Sequence, residues 1–141
     1  MNDNNIRFEA EFYNSKTGLN DNFFYGKDII DFVQYGTSNE LNEDNLGYPI
    51  LRLNEFDSNF IGIPSKYCNS ITQDIFENLR LLKNDVLICR TNGNPKYVGK
   101  SAIVMKDTQF AYASYLFKIR PKKENFLFRL NSVHLLKHYA I

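Results

Sequence analysis

The sequence predicts an α+β domain with a curved, mostly antiparallel sheet forming a barrel-like core, one short mid-chain helix and a C-terminal helix. Three observations lead there. Short β-branched and aromatic runs recur at irregular spacing, helical periodicity shows once in mid-chain and once near the end, and long polar loops separate them. With 141 residues, 43% of them hydrophobic, the chain has the size of one domain, can fill a core, and is too short for a multidomain enzyme.

Residues 1–25 mix Asn and Asp with Phe8, Phe12, Tyr13, Phe23, Phe24 and Tyr25, which is too apolar for a free tail. They read as an irregular arm docked on a core that residues 26–141 form. Asp28 to Tyr35 is apolar enough for a strand, or a short helix running into one, and Gly36-Thr37-Ser38 stops it with a residue that tolerates positive φ. Asn39 to Gly47 is a polar loop. Tyr48 to Leu53 reads as a strand whose Pro49 belongs at its first position or on an edge, and Asn59 to Ile63 as another short one. Ile75, Phe76, Leu79 and Leu82 then mark one face of a short amphipathic helix behind an N-cap at Thr72.

Lys83-Asn84-Asp85 turns into a continuous apolar strand, Val86 to Arg90, and Thr91 to Lys100 is a loop with two glycines and a proline. Ser101 to Met105 and Ala113 to Arg120 are two more strands, expected as neighbours, and Pro121 ends the second. From Asn125 to Tyr139, Phe126, Leu127, Leu130, Val133, Leu135 and Leu136 have helical spacing.

Seventeen bases against 16 acids leave a formal charge of +1, which at first sight argues against an anionic partner. The halves differ. Residues 1–60 hold eleven acids and four bases, a net −7, while residues 61–141 hold five acids and thirteen bases, a net +8. Cys68 and Cys89 are too few for a disulfide framework and form no C-x-x-C pair, so they read as free buried thiols in a reducing cytosol. The first 25 residues lack a basic segment followed by an apolar one, and the apolar runs are four or five residues at most. The expectation is a soluble, cytoplasmic protein.

Each motif that suggests chemistry fails on a specific count. Gly93-Asn-Pro-Lys-Tyr-Val-Gly99-Lys100-Ser101 resembles a phosphate-binding loop, but five residues separate its glycines where four are needed, and a strand-like segment follows instead of a helix. Asn94-Pro95-Lys96-Tyr97 resembles the Asn-Pro-Pro-Tyr motif of amino-methyltransferases, with Lys96 in place of the second proline and no Gly-rich loop for S-adenosylmethionine. A structural turn is the better reading. His134 and His138, at i and i+4, lack a third ligand at suitable spacing. Cys68 has no helix N-terminus to activate it, and Asp85, the nearest thing to a nuclease carboxylate, is followed by no Glu-x-Lys. No self-sufficient active site, metal site or cofactor site emerges.

A polar, basic stretch remains. Arg90, Thr91, Asn92, Asn94, Lys96, Lys100 and Ser101 lie within twelve residues, followed by Tyr112, Ser114, Tyr115, Lys118, Arg120, Lys122 and Lys123. Such residues can neutralise phosphates or read base edges, and the bland alternative is a solvated loop.

Taken in order, Arg7 to Tyr13, Phe32 to Ser38, Ile50 to Asn54, Leu82 to Asn94, Val98 to Val104 and Ala113 to Pro121 resemble the target recognition domain of type I restriction-modification specificity subunits. The resemblance covers nearly the whole chain and rests on no single motif. It implies recognition of one half of a split sequence in double-stranded DNA, without catalysis by this chain. Methylation would come from a modification subunit with S-adenosylmethionine, and cleavage from an ATP-driven restriction subunit reached through it. Asn84 stands where the family usually has Gly in a Lys-x-Gly-Asp turn, a position Asn can fill because it tolerates the left-handed region. A specificity subunit usually carries two such domains separated by long helices. This chain stops at Ile141, about where the first of those helices would develop, so residues 26–141 read as one recognition domain alone: an excised piece, a truncated or split gene product, or a half-subunit that must pair with a second recognition domain or with itself through the C-terminal helix.

On that reading Lys96, Lys100, Lys122 and Lys123 neutralise phosphate, and Gln34, Arg90, Asn92, Asn94 and Ser114 are candidates for base readout. The Arg90 to Lys100 loop and the Gly36-Thr37-Ser38 turn, with Thr37 and Ser38, enter or flank the major groove. The competing expectation is a truncated specificity domain that serves as an assembly or decoy module without useful DNA binding of its own.

Overall fold

Val86-Leu-Ile-Cys89 is a run of four apolar residues, and all four are buried, as a strand with neighbours on both edges and layers on both faces requires. The computed structural model, which describes residues 30–122, places it there as β6 (Val86–Cys89). Antiparallel to it lie β9 (Leu116–Pro121) on one side and β7 (Ser101–Ile103) on the other. Beyond β9 comes β1 (Ile30–Tyr35), and beyond β7 the short β4 (Phe60–Ile61) and β3 (Phe56–Asp57), giving the order β1-β9-β6-β7-β4-β3.

A second sheet of three strands has β2 (Tyr48–Leu51) in the middle, flanked by β5 (Lys66–Cys68) and β8 (Ala111–Tyr112). Pro49 is the second residue of this central strand. It is tolerated because β8 joins only from Ile50 onward, so at Pro49 the strand pairs with β5 alone. Five of the seven strand pairings are antiparallel; β2 with β8 and β4 with β7 are parallel.

Among the described residues there is one α-helix, α1 (Gln73–Leu79). The Thr72 hydroxyl caps it, accepting the Ile75 N–H at 3.3 Å, as the sequence predicts. Its buried Phe76 and Leu79 join Ile50 and Leu51 of one sheet and Leu87, Cys89, Ala102 and Leu116 of the other in the main core cluster. The Phe76 ring stacks on Tyr48 at 4.2 Å. Burying side chains of this size contributes about 1.5–3 kcal/mol each. A smaller cluster, Val86, Ile88 and Ile119, occupies the other face of the six-stranded sheet.

Mixed α+β architecture and a mostly antiparallel sheet match the sequence reading, but the barrel does not: both sheets are open, with β1 and β3 ending one and β5 and β8 the other. The segment expected as one strand from Ala113 to Arg120 is a turn followed by β9, with β8 before it in the other sheet. Nor are β7 and β9 neighbours. Fully buried β6 separates them, since its two edges need both as partners. β1 does end before Gly36, but the glycine is not there for positive φ: a Cβ at that position would sit 2.5 Å from the Ala113 carbonyl oxygen and closer still to that of Tyr112. Asn84 does adopt the left-handed region, at φ 77°. The expected arm over residues 1–25 and helix over Asn125 to Tyr139 lie outside the described residues, as do Lys123, His134 and His138.

Candidate functional site

Strand register collects the predicted loops at one end of the six-stranded sheet. Tyr35 closes β1 opposite Phe117, and Cys89 closes β6 opposite Leu116, so the Gly36 turn, the Arg90–Lys100 loop and the Ala113–Tyr115 turn emerge side by side. Backbone bonds tie them: Thr37 N–H donates to Tyr112 O at 2.9 Å, Ser114 N–H to Thr37 O at 2.8 Å, and Arg90 N–H to Tyr115 O at 3.0 Å.

Arg90 lies at the centre of this junction. Its side chain is exposed, its Nε donates to Ser114 O at 3.2 Å, and its guanidinium carbon lies 4.7 Å from the centroid of the Tyr35 ring. Two shallow hollows open among the same loops. One is lined by Leu53, Asn54, Thr91, Asn92, Gly93 and Tyr115. The other runs from Gln34 through Thr37, Ser38 and Asn39 to Asn78 on α1.

Beyond Arg90 the loop is exposed from Thr91 to Val98 and organises itself. The Asn92 side-chain oxygen accepts the Asn94 N–H at 2.9 Å, and the Asn94 oxygen accepts the Lys96 N–H at 3.1 Å, capping a 3-10 turn over Pro95–Tyr97. Gly99 at φ 84° returns the chain, with its N–H donating to Cys89 O at 2.7 Å. Lys100 Nζ sits 5.8 Å from the Tyr97 ring centroid. The loop is a preformed projection carrying Lys96 and Lys100, not a phosphate cradle.

Of the predicted site residues, Gln34, Thr37, Ser38, Arg90, Asn92, Asn94, Lys96, Lys100 and Ser114 come together at this end. Thr37 is buried and its hydroxyl donates to Asn39 Oδ1, and the Gln34 side-chain oxygen is buried without a hydrogen-bond partner. Lys122 is not with them. It follows Pro121 at the far end of β9, roughly 20 Å away at a strand rise of ~3.3 Å per residue.

Two bases counted with the polar stretch, Lys118 and Arg120, prove internal. Lys118 is fully buried; its Nζ points at the carbonyls of Asn78, Leu79 and Arg80 at 3.3–3.5 Å, where it answers the C-terminal end of α1. Burial, with Arg120 nearby, pulls its ammonium down to about 8. Arg120 donates through Nε and Nη2 to the two oxygens of Asp85, both at 2.7 Å, and the Asp85 bond raises the guanidinium above its ordinary value. Asp85 also accepts the Leu82 N–H at 2.8 Å. The carboxylate that came nearest to a nuclease residue is therefore a buried anchor of the turn.

Burial pushes the Cys89 thiol up, away from nucleophilic thiolate. Among the described residues no three His, Cys, Asp or Glu side chains gather as metal ligands, and no helix is long and apolar enough to cross a membrane. Sequence reasoning missed Tyr35, Asn39, Asn54 and Asn78. For Tyr35 a signal was present: in the alternation of β1 it occupies an outward position, where an aromatic calls for explanation.

No family model matches the chain. Over 115 residues, 80% of the chain, it is 30% identical to a protein of Methanocaldococcus jannaschii assigned as the type I restriction enzyme MjaX specificity subunit. The chain spans about a quarter of that relative's length, 27%. Its fold is similar to a chain solved in work on complex assembly and conformational transition of the type I R-M system, with TM-score 0.56 and 18% identity over 81% of this chain and 26% of that one. The crystal structure of the HsdS subunit from Thermoanaerobacter tengcongensis is also similar, with TM-score 0.55 and 17% identity over 80% of this chain and 27% of that one. At these identities the two structures speak for the fold alone.

Proposed function

From its kinship in sequence and fold with type I restriction enzyme specificity subunits, we propose that this chain is a target recognition domain that reads one half of a split sequence in double-stranded DNA. It directs methylation and cleavage carried out by partner subunits and performs no chemistry itself. The observation that carries the reading is 30% identity to the MjaX specificity subunit across 80% of the chain.

The interface is the loop end of the six-stranded sheet. Lys96 and Lys100 neutralise phosphate, and Arg90, Asn92, Asn94, Ser38 and Ser114 stand where base edges or sugar-phosphate can be met, while Gln34, whose side-chain oxygen is buried, would have to turn outward to join them. Thr37 supports the turn from within. Lys122, at the far end of β9, meets DNA only on a duplex that extends past the loop end. A modification subunit, a restriction subunit reached through it, and a second recognition domain complete the assembly.

The test is fluorescence anisotropy with a labelled duplex across a salt series. Replacing Lys96 and Lys100 together by Ala should weaken all sequences alike and flatten the logarithmic salt slope by about 2. An unchanged affinity and slope would place the DNA face elsewhere.

A further inference from the structure

We propose that Arg90 is the specificity-determining residue of this interface, that it reads a guanine through the major groove, and that Tyr35 is its positioning residue. The inference rests on the DNA-recognition reading and adds a base identity and a device that holds the reader.

A point charge that needs no fixed plane serves for phosphate, and Lys96 and Lys100 on the loop already supply that. Arg90 is held differently. The Ser114 carbonyl fixes Nε at 3.2 Å, and the Tyr35 ring supports the guanidinium 4.7 Å from its centroid. With Nε engaged, the two terminal nitrogens form the remaining donor edge. Two donors in one plane match two acceptors in one plane, and among base edges in the major groove guanine presents that pair as O6 and N7. Because the plane is set before binding, less rotamer freedom is lost when the bonds form.

Position agrees with chemistry. The Arg90 N–H donates to Tyr115, which lines one hollow with Asn54 and Asn92, and Arg90 Nε donates to Ser114, whose N–H donates to Thr37 of the other hollow, so polar side chains are at hand for the flanking base pairs. Tyr35 is 59% exposed although it ends a strand beside partly buried Phe117, and a ring left in solvent there is explained by the guanidinium it carries.

The experiment is selection of the full chain on a randomised double-stranded DNA library at low salt, followed by affinity measurements on the enriched sequence and its single-base variants. The native chain should enrich a motif containing a guanine whose replacement weakens binding. Arg90→Ala and Arg90→Lys should each lose that one preference by roughly 5- to 150-fold while keeping the other positions. Arg90→Lys should also keep the salt slope. Tyr35→Phe, which retains the ring, should keep the preference, and Tyr35→Leu should lose part of it without altering the slope. If Arg90→Lys keeps the guanine preference, or Arg90→Ala weakens every sequence equally, the assignment of Arg90 as a base reader is wrong while DNA recognition stands. If the native chain enriches no motif, recognition by this chain itself fails.

Discussion

Removing the Asp85 carboxylate should be among the most damaging single changes in the described fold. Its side chain is 1% exposed, and it accepts three hydrogen bonds, two from Arg120 at 2.7 Å and one from the Leu82 N–H at 2.8 Å. In Asp85→Ala the Arg120 guanidinium loses its countercharge beside fully buried Lys118, and the Leu82 amide loses its acceptor. Breaking one side of a buried ion pair costs about 3–5 kcal/mol. Arg120 remains 24% exposed and can turn partly to water or to the Arg80 carbonyl at 3.3 Å, so about 3 kcal/mol is expected. With a urea slope of about 1–3 kcal/mol per molar, the unfolding midpoint should fall by ~1–3 M. Asp85→Asn keeps the acceptor for Leu82 and one bond to Arg120 and should lose about half as much. Replacing the pair together, Asp85→Leu with Arg120→Met, should recover most of the loss, because the desolvation cost of both charges disappears with them. A loss below about 1 kcal/mol in Asp85→Ala would refute the view that this turn is held by a buried ion pair.

Other outcomes follow from the same interior. Lys118 has its folded-state value at about 8 against 10.5 unperturbed, so the folded state releases its proton first, and stability should rise as pH climbs from about 8 toward 10. Tyr112, pushed up by burial, opposes this only above its unperturbed 10.0, where the unfolded chain ionises and the buried hydroxyl does not. Unfolding free energies from urea titrations at pH 7 and 10 should therefore differ by ~2 kcal/mol in favour of the higher pH relative to Lys118→Met, and equal pH responses in the two proteins would contradict it. Gly36→Ala drives a Cβ into two backbone carbonyls and should cost at least ~3 kcal/mol, read as loss of the folded circular dichroism signal on mild heating. Asn84→Ala, at φ 77°, should lose about 1 kcal/mol by chemical denaturation while Asn84→Gly stays within about 0.5 kcal/mol of the native chain.

What could be read from the residues was local. Thr72 as a cap, Asn84 in the left-handed region and the buried run Val86 to Cys89 each follow from the conformational preferences of a few neighbouring residues, and the structure keeps them. What escaped depends on partners distant in sequence. Gly36 is small because Tyr112 and Ala113, far along the chain, press against it, and no local signal distinguishes that from a positive-φ glycine. Open sheets were mistaken for a barrel because short antiparallel strands suit both; closure depends on edge partners that periodicity does not name. The candidate site was half legible. Loop residues Arg90 to Lys100 were found by composition, whereas Tyr35 enters only through the register that sets it beside Arg90.

The same distinction changes what the charge split means. A net +8 over residues 61–141 suggests a basic face, yet Lys118 and Arg120 are interior, Lys66 pairs with Glu43, and Arg80 pairs with Glu77. Lys83 and Lys106 lie with Lys122 at the end of the sheet opposite the loop, because β6 and β9 run antiparallel between the two ends. Among the described residues that leaves Arg90, Lys96 and Lys100 at the loop end. These three would contribute about 3 to the salt slope if each met a phosphate, and that contact is the same for every sequence. Discrimination among sequences has to come from oriented groups. Of the three, the guanidinium of Arg90 is the best oriented, held by the Ser114 carbonyl and the Tyr35 ring.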